Sequence, residues 1–272
     1  MKISQAALAV LVLSARASAW TTARHAPARF LATQLHSTAT AIATEVDGEE
    51  ATESFRLKFT EDSKPISPWH DIALKNDDGS YNMVVEIPKM TKAKMEVATK
   101  EENNPIAQDM KKGKLRDYHG PIFWNYGCLP QTWEDPTVKH PELGCFGDDD
   151  PIDVVEIGSA SLSMGSIKPV KPLGVLAMID DGELDWKVLA IATDDPLAEE
   201  WNDIDDVPAA IKDGVREWFR WYKTPDDKPI NEFGFDEKYL DKAEALKVID
   251  ETNEAWAKLK SGETEAGKLW IN

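Results

Sequence analysis

Apolar positions fall in short alternating or continuous runs over residues 55–60, 83–88, 93–99, 152–157, 172–179 and 186–193, a pattern that predicts β-strands. Helical periodicity comes later in the chain. It predicts one helix over residues 207–223 and another over 237–260, where Leu240, Ala243, Leu246, Ile249, Trp256 and Leu259 recur at spacings near three or four. Many strands followed by helices predict a mainly β fold, a compact barrel with helices packed outside. No internal repeat or long linker interrupts the pattern.

Charges break the apolar pattern in three places. In GDDDPIDVVEIG, residues 147–158, Asp153 sits between Ile152 and Val154 at the start of a strand. Pro151 removes a donor and pushes Asp150 toward an extended conformation, so Asp148 and Asp150 can project together before the strand begins. A lone carboxylate in a buried strand has to be protonated, paired or bound to a metal. With Asp148 and Asp150 beside it, a divalent cation is the simplest remedy, although an exposed acidic turn accounts for the stretch equally well.

In VLAMIDDGELDWKVLAIA, two strands flank a turn at Asp181 and Gly182, which gathers Asp180 and Asp185 at one hairpin end and sets Lys187 on the same face as Asp185. A solvated hairpin tip with a surface ion pair is the plainer alternative. In VVEIPKMTKAKMEVAT, Lys94 and Glu96 share one strand face, opposite Ala93, Met95 and Val97, and Glu86 precedes a proline that ends the earlier strand. Alone, that segment reads as the outer face of an edge strand. Oxygen donors without His or Cys suit Mg²⁺ or Ca²⁺ rather than zinc. An EF-hand is excluded, since the sixth position from Asp148 is Asp153 instead of Gly and the twelfth is Ser159 instead of Glu. Acids from separate strands with lysine and arginine nearby instead suggest a multi-metal centre that hydrolyses phosphoryl groups.

Composition narrows the partners. The chain has 272 residues, 42% hydrophobic and 29% charged, enough for one sizeable core. Its formal net charge of −18 repels nucleic acid and anionic membranes and favours cations. Cys128 and Cys145 form no C-x-x-C pair and read as small core residues. Residues 1–44 contain no Asp or Glu, and a short apolar run from 6 to 13 leads to Ala17-Ser18-Ala19. The basic, hydroxylated stretch that follows makes residues 1–44 a two-part targeting presequence, read as plastid-directed in an alga with a complex plastid, with secretion or a mitochondrial leader as the simpler alternatives. Residues 45–272 would then form a single domain.

The segments KKGKLRDYHG, WNYGCLPQTWEDP, DDDPIDV, DDGELDWKV and EWFRWYKTPDDKP, in this order within residues 54–256, resemble the soluble inorganic pyrophosphatases of family I, eukaryotic type. The resemblance implies a five-stranded OB-like barrel with peripheral helices, a homodimer, and Mg²⁺-activated hydrolysis of diphosphate to two orthophosphates. It implies that Asp148, Asp153 and Asp185 hold the principal metal, with Asp153 bridging to a second, and that Asp150 deprotonates the attacking water. Glu96 and Asp180 would serve metals arriving with substrate, with Glu86 in support. Lys94, Arg116, Tyr126, Lys187, Tyr222 and Lys223 match positions that grip the phosphoryl groups. The chain departs from the family at Ile122, where some members place a tyrosine; Tyr118 is given no role. Two other classes compete with this reading, a non-catalytic OB-like binding module and a nucleotide or polyphosphate hydrolase. Net charge argues against nucleic acid as a partner, and no P-loop is present.

Overall fold

The computed structural model describes residues 42–272; the proposed presequence, apart from residues 42–44, lies outside the described residues. In chain order the strands are β1 (Ile42–Asp47), β2 (Arg56–Glu61), β3 (Lys64–Ile66), β4 (Tyr81–Ile87), β5 (Met95–Val97), β6 (Ile106–Gln108), β7 (Met110–Lys111), β8 (Lys114–Leu115), β9 (Asn125–Cys128), β10 (Asp153–Glu156), β11 (Ile167–Asp180), β12 (Glu183–Ala192) and β13 (Glu232–Phe233). Two helices, α1 (Ala209–Trp221) and α2 (Lys242–Ser261), follow most of the strands.

One sheet runs β12-β10-β9-β4-β11, and a further pairing of β11 with β12 closes these five strands into a barrel. Only the β10–β12 pair within this ring is parallel. β13 extends β11, and a separate sheet follows the order β1-β2-β6-β5 with β3 paired to β2.

Strand parity divides the barrel side chains into two packed layers. Val84, Cys128, Val155, Leu176 and Leu189 join one cluster, to which α1 contributes Val215 and Phe219. Val85, Val154, Val175 and Val188 face the other way and pack with Ala245, Val248 and Ile249 of α2. Both faces are therefore covered, which is why these strands read as nearly continuous apolar runs. α1 is shorter than the expected 207–223, starting after Pro208 and ending with Tyr222 as its C-cap. α2 also starts later than expected, because Leu240 is drawn into a bridge with Val175 and Asp241 caps the helix by accepting from the Glu244 N–H at 3.0 Å. Gly262, at φ 79°, ends it.

Strand β9 has no apolar alternation in its sequence, NYGC, yet all four residues are buried between β4 and β10. Gly127 makes that approach possible: a Cβ there would lie 1.9 Å from the Val84 carbonyl oxygen. Gly127→Ala is expected to lower unfolding free energy by about 2 kcal/mol or more, the cost of overpacking against fixed backbone. Urea unfolding of the purified variant checks this, and an unchanged midpoint would contradict the strand packing.

Candidate active site

The barrel layer that begins with apolar side chains ends in charged ones at a single rim. Along β10 and β12, Asp153 and Lys187 precede Val155 and Leu189 by two positions and so share their face. Parallel pairing sets Asp153 opposite Lys187, while antiparallel pairing sets Asp153 opposite Cys128 and Val155 opposite Tyr126. At the hairpin between β11 and β12, Asp180 pairs with Glu183 across a two-residue turn. Asp181 and Gly182 have φ of 50° and 95°, the left-handed pair of a tight hairpin turn that Asp-Gly favours. The turn keeps Asp180 and Asp185 together, and the end of α1 carries Tyr222 and Lys223 over Asp180. Tyr222 donates to Asp180 at 2.7 Å, and the Lys223 ammonium also binds that carboxylate. These groups surround a cavity of about 460 Å³ that every candidate site residue named from the sequence lines.

At its floor Lys187 is 1% exposed. Its ammonium contacts Asp185 and donates to Asp153 at 2.5 Å, and the same carboxylate accepts from the Tyr126 hydroxyl at 2.5 Å. The ammonium also lies 5.4 Å from the ring centre of Phe219 and 5.7 Å from that of Tyr126. Burial works against the Lys187 charge, but Asp153 and Asp185 outweigh it and hold the amine well above its ordinary pKa. Burial drives Asp185 the other way, up to about 7, with Lys187 opposing and Asp153 adding to the rise.

Glu134, Asp148 and Asp185 form a second constellation, each offering a carboxylate oxygen within 4.8 Å of the others. Glu134 accepts from the Trp186 N–H at 3.0 Å through one oxygen, while its other buried oxygen has no partner. Burial pushes Glu134 and Asp148 well above the usual carboxylate range, followed by repulsion from Asp148 and Asp185 on Glu134 and from Asp185 and Asp150 on Asp148. Crowded acids with an orphaned buried oxygen fit a hard divalent cation, which restores charge balance and supplies the missing contact. Glu134 was not among the sequence candidates, although it stands in the quoted WEDP. No local signal marks it, because Pro130, Gln131 and Thr132 give the preceding segment no apolar pattern, and the burial of Thr132, Trp133 and Glu134 comes from tertiary packing. Backbone pairing of Glu134 with Asp149 and Asp150 brings it into register with the acidic loop.

The remaining wall mixes both signs. Glu86 accepts from the Val97 N–H at 2.7 Å and is pushed well up by burial and by Asp153. Lys94 contacts Glu96, and Asp109, also absent from the sequence candidates, joins Lys94 at 3.2 Å to Arg116 at 2.9 Å. Asp150 faces the cavity, and the packing of protein around its carboxyl, then Glu96, push it up to about 7, against Lys94. Ile122 is packed in the apolar core at 1% exposure. Tyr118, given no role in the sequence reading, lines the cavity. Cys128 is buried beside Asp153 and Cys145 is only half-buried, so the expectation of two core cysteines fits one fully. Both are free thiols.

Residues 83–257 match a family model described as inorganic pyrophosphatase. The chain is 54% identical over 229 residues to soluble inorganic pyrophosphatase 6, chloroplastic, of Arabidopsis thaliana, covering 82% of this chain and 76% of that protein. It is 55% identical over 227 residues to soluble inorganic pyrophosphatase 1, chloroplastic, of Chlamydomonas reinhardtii, covering 82% and 81%. Among solved structures, the N-terminally truncated vacuolar soluble pyrophosphatase of Trypanosoma cruzi in complex with PPi aligns with a TM-score of 0.78 at 42% identity, covering 82% of this chain and 92% of that one.

The raised carboxyls make a pH prediction. Asp185, with a folded pKa of about 7 against an ordinary 3.8, binds more protons folded than unfolded between those values. Stability of the cation-free protein therefore falls as pH rises from about 4 to about 7. Cations must displace these protons, so Mg²⁺ used as a probe is expected to raise the melting temperature more at pH 8 than at pH 5.5. Scanning calorimetry with and without Mg²⁺ measures this; an equal shift at both pH values would contradict it.

Proposed function

We infer that this chain, which belongs to the inorganic pyrophosphatase family, hydrolyses inorganic diphosphate to two orthophosphates. The observation that carries the reading is one cavity lined both by clustered carboxylates and by Lys94, Arg116, Lys187 and Lys223. Bare acids would expel an anion as highly charged as diphosphate, so the carboxylates must be neutralised before substrate enters. Asp148, Asp153 and Asp185 would hold the principal cation, Asp153 would also serve a second, and Asp180 and Glu96 would take those that enter with substrate. The donor set, all carboxylate oxygen, suits Mg²⁺ or Ca²⁺, and a diphosphate substrate favours Mg²⁺, which is bound through a few carboxylates together with substrate phosphates. When bound, such a cation polarises a phosphoryl oxygen and lowers the pKa of water.

The chain's own residues then supply position and charge. Asp150, whose carboxyl sits near neutrality, accepts the proton of the attacking water. Arg116 presents a planar fork of donors to phosphoryl oxygens, and Lys94, Lys187 and Lys223 act as point charges. Tyr126 and Tyr222 add hydroxyl donors, each already oriented by an aspartate, and Glu86 braces β5 through the Val97 N–H. Diphosphate is favoured over nucleotides because the cavity is ringed by charge and the sequence carries no P-loop. A homodimer and residence in a plastid belong to the same reading. The chloroplastic relatives and the basic, acid-free leader support the plastid assignment. Net charge speaks against nucleic acid, and among the described residues no helix is long and apolar enough to cross a membrane.

Two outcomes are expected. Asp150→Asn and Asp153→Asn each lower phosphate release from diphosphate by roughly a hundredfold or more while circular dichroism stays unchanged. Near-parental turnover by either folded variant would remove the assigned roles. Offered side by side with Mg²⁺, diphosphate should be cleaved far faster than ATP or inorganic triphosphate; comparable rates would point to a general polyphosphate hydrolase.

A further inference from the structure

Tyr118 stands on the cavity wall with a fixed ring and no task in the mechanism above. Residues 116–118 run beside residues 92–94: the Lys94 N–H donates to the Arg116 carbonyl at 3.0 Å, Ala93 bridges Asp117, and the Tyr118 N–H donates to the Lys92 carbonyl at 2.7 Å. Arg116 and Tyr118 are two positions apart on this extended segment and so share a side, and both line the cavity. The Tyr118 ring stands edge-on to Trp218 at 4.9 Å and to Tyr222 at 5.8 Å, contacts that fix its direction. At 7% exposure the ring is buried.

Tyr118 lines the same cavity as Lys94, Asp153, Lys187 and Arg116, and its hydroxyl feels the charge of all four. Among the described residues no protein group hydrogen-bonds to it, in contrast to Tyr126 and Tyr222, whose hydroxyls are committed to Asp153 and Asp180. Burial pushes it up to about 12, so it remains a neutral O–H donor at any working pH. Ile122, nearby in the chain, is packed into the core and has nothing to donate.

We propose that the Tyr118 hydroxyl donates a hydrogen bond to a phosphoryl oxygen of diphosphate, beside the grip of Lys94 and Arg116. The proposal rests on the diphosphatase reading and adds to it a substrate contact by a residue that reading leaves without a role. A donor held in place by ring packing needs no reordering when substrate arrives, and this makes its hydrogen bond to a charged oxygen effective. Its proton is uncommitted, whereas Tyr126 and Tyr222 must turn from Asp153 and Asp180 to donate to substrate.

The test is Tyr118→Phe, which keeps the ring against Trp218 and Tyr222 and removes only the O–H. Phosphate release with Mg²⁺ saturating should fall about tenfold or more in kcat/KM, and imidodiphosphate, bound without turnover, should bind about tenfold more weakly by calorimetry. Tyr118→Leu serves as the packing control. If Tyr118→Phe stays within about twofold of the parent in both measurements while Tyr118→Leu alone loses activity, the residue acts through packing and the proposal is overturned. A parent protein that neither hydrolyses diphosphate nor binds imidodiphosphate would overturn the underlying reading together with this one.

Discussion

The ammonium of Lys187, sealed at the barrel floor between Asp153 and Asp185, is the interaction on which the architecture of the site depends. Leaving a buried charge without its partner costs about 3–5 kcal/mol, so neither acid can drift from it. That pairing holds only if β10 and β12 lie parallel in the observed register, Asp153 opposite Lys187, and if β11 returns with Met178 opposite Asp185. A one-residue slip in either strand would turn the charged groups onto the face that packs against α2. The barrel closure and the chemistry of its rim are thus two results of one strand register.

Lys187 neutralises only part of the acid gathered there. Glu134 and Asp148 stand within reach of Asp185 with no cation of their own, and Asp150 and Glu86 crowd the same cavity. Burial and repulsion hold these groups toward their protonated forms, which is another way of saying that the site has a standing demand for positive charge. Cations lining the same cavity meet the other requirement, since Lys94, Arg116 and Lys223 supply attraction for an anion. Each of these cations is held by an acid, Asp109 in the first two cases and Asp180 in the third, so the grip is oriented before anything binds.

Much of this was legible along the chain because the signals were local. Asp153 between Ile152 and Val154, and the Asp-Gly turn between Asp180 and Asp185, place carboxylates at strand ends through period-two alternation, and the other family-like segments tell a charged rim from a solvated turn. What stayed hidden depends on tertiary pairing. Strand β9 was missed because its polar residues are buried by neighbours on both sides and Gly127 contributes no side chain to a pattern. Asp109 looks like an ordinary surface acid until the backbone bonds among residues 94, 109 and 116 bring it between two cations. The start of α2 was overextended because a bridge between Leu240 and Val175 competes with helix there, and no helical periodicity reports such a competition.

The central claim is that the carboxylate rim serves diphosphate hydrolysis through a divalent cation it holds. The most direct measurement follows phosphate release from diphosphate by the purified protein in Mg²⁺, adds a chelator during turnover, and then restores Mg²⁺ in excess. The account predicts that release begins, stops and resumes. Release that continues undiminished after chelation, or that never rises above the uncatalysed rate, would contradict it.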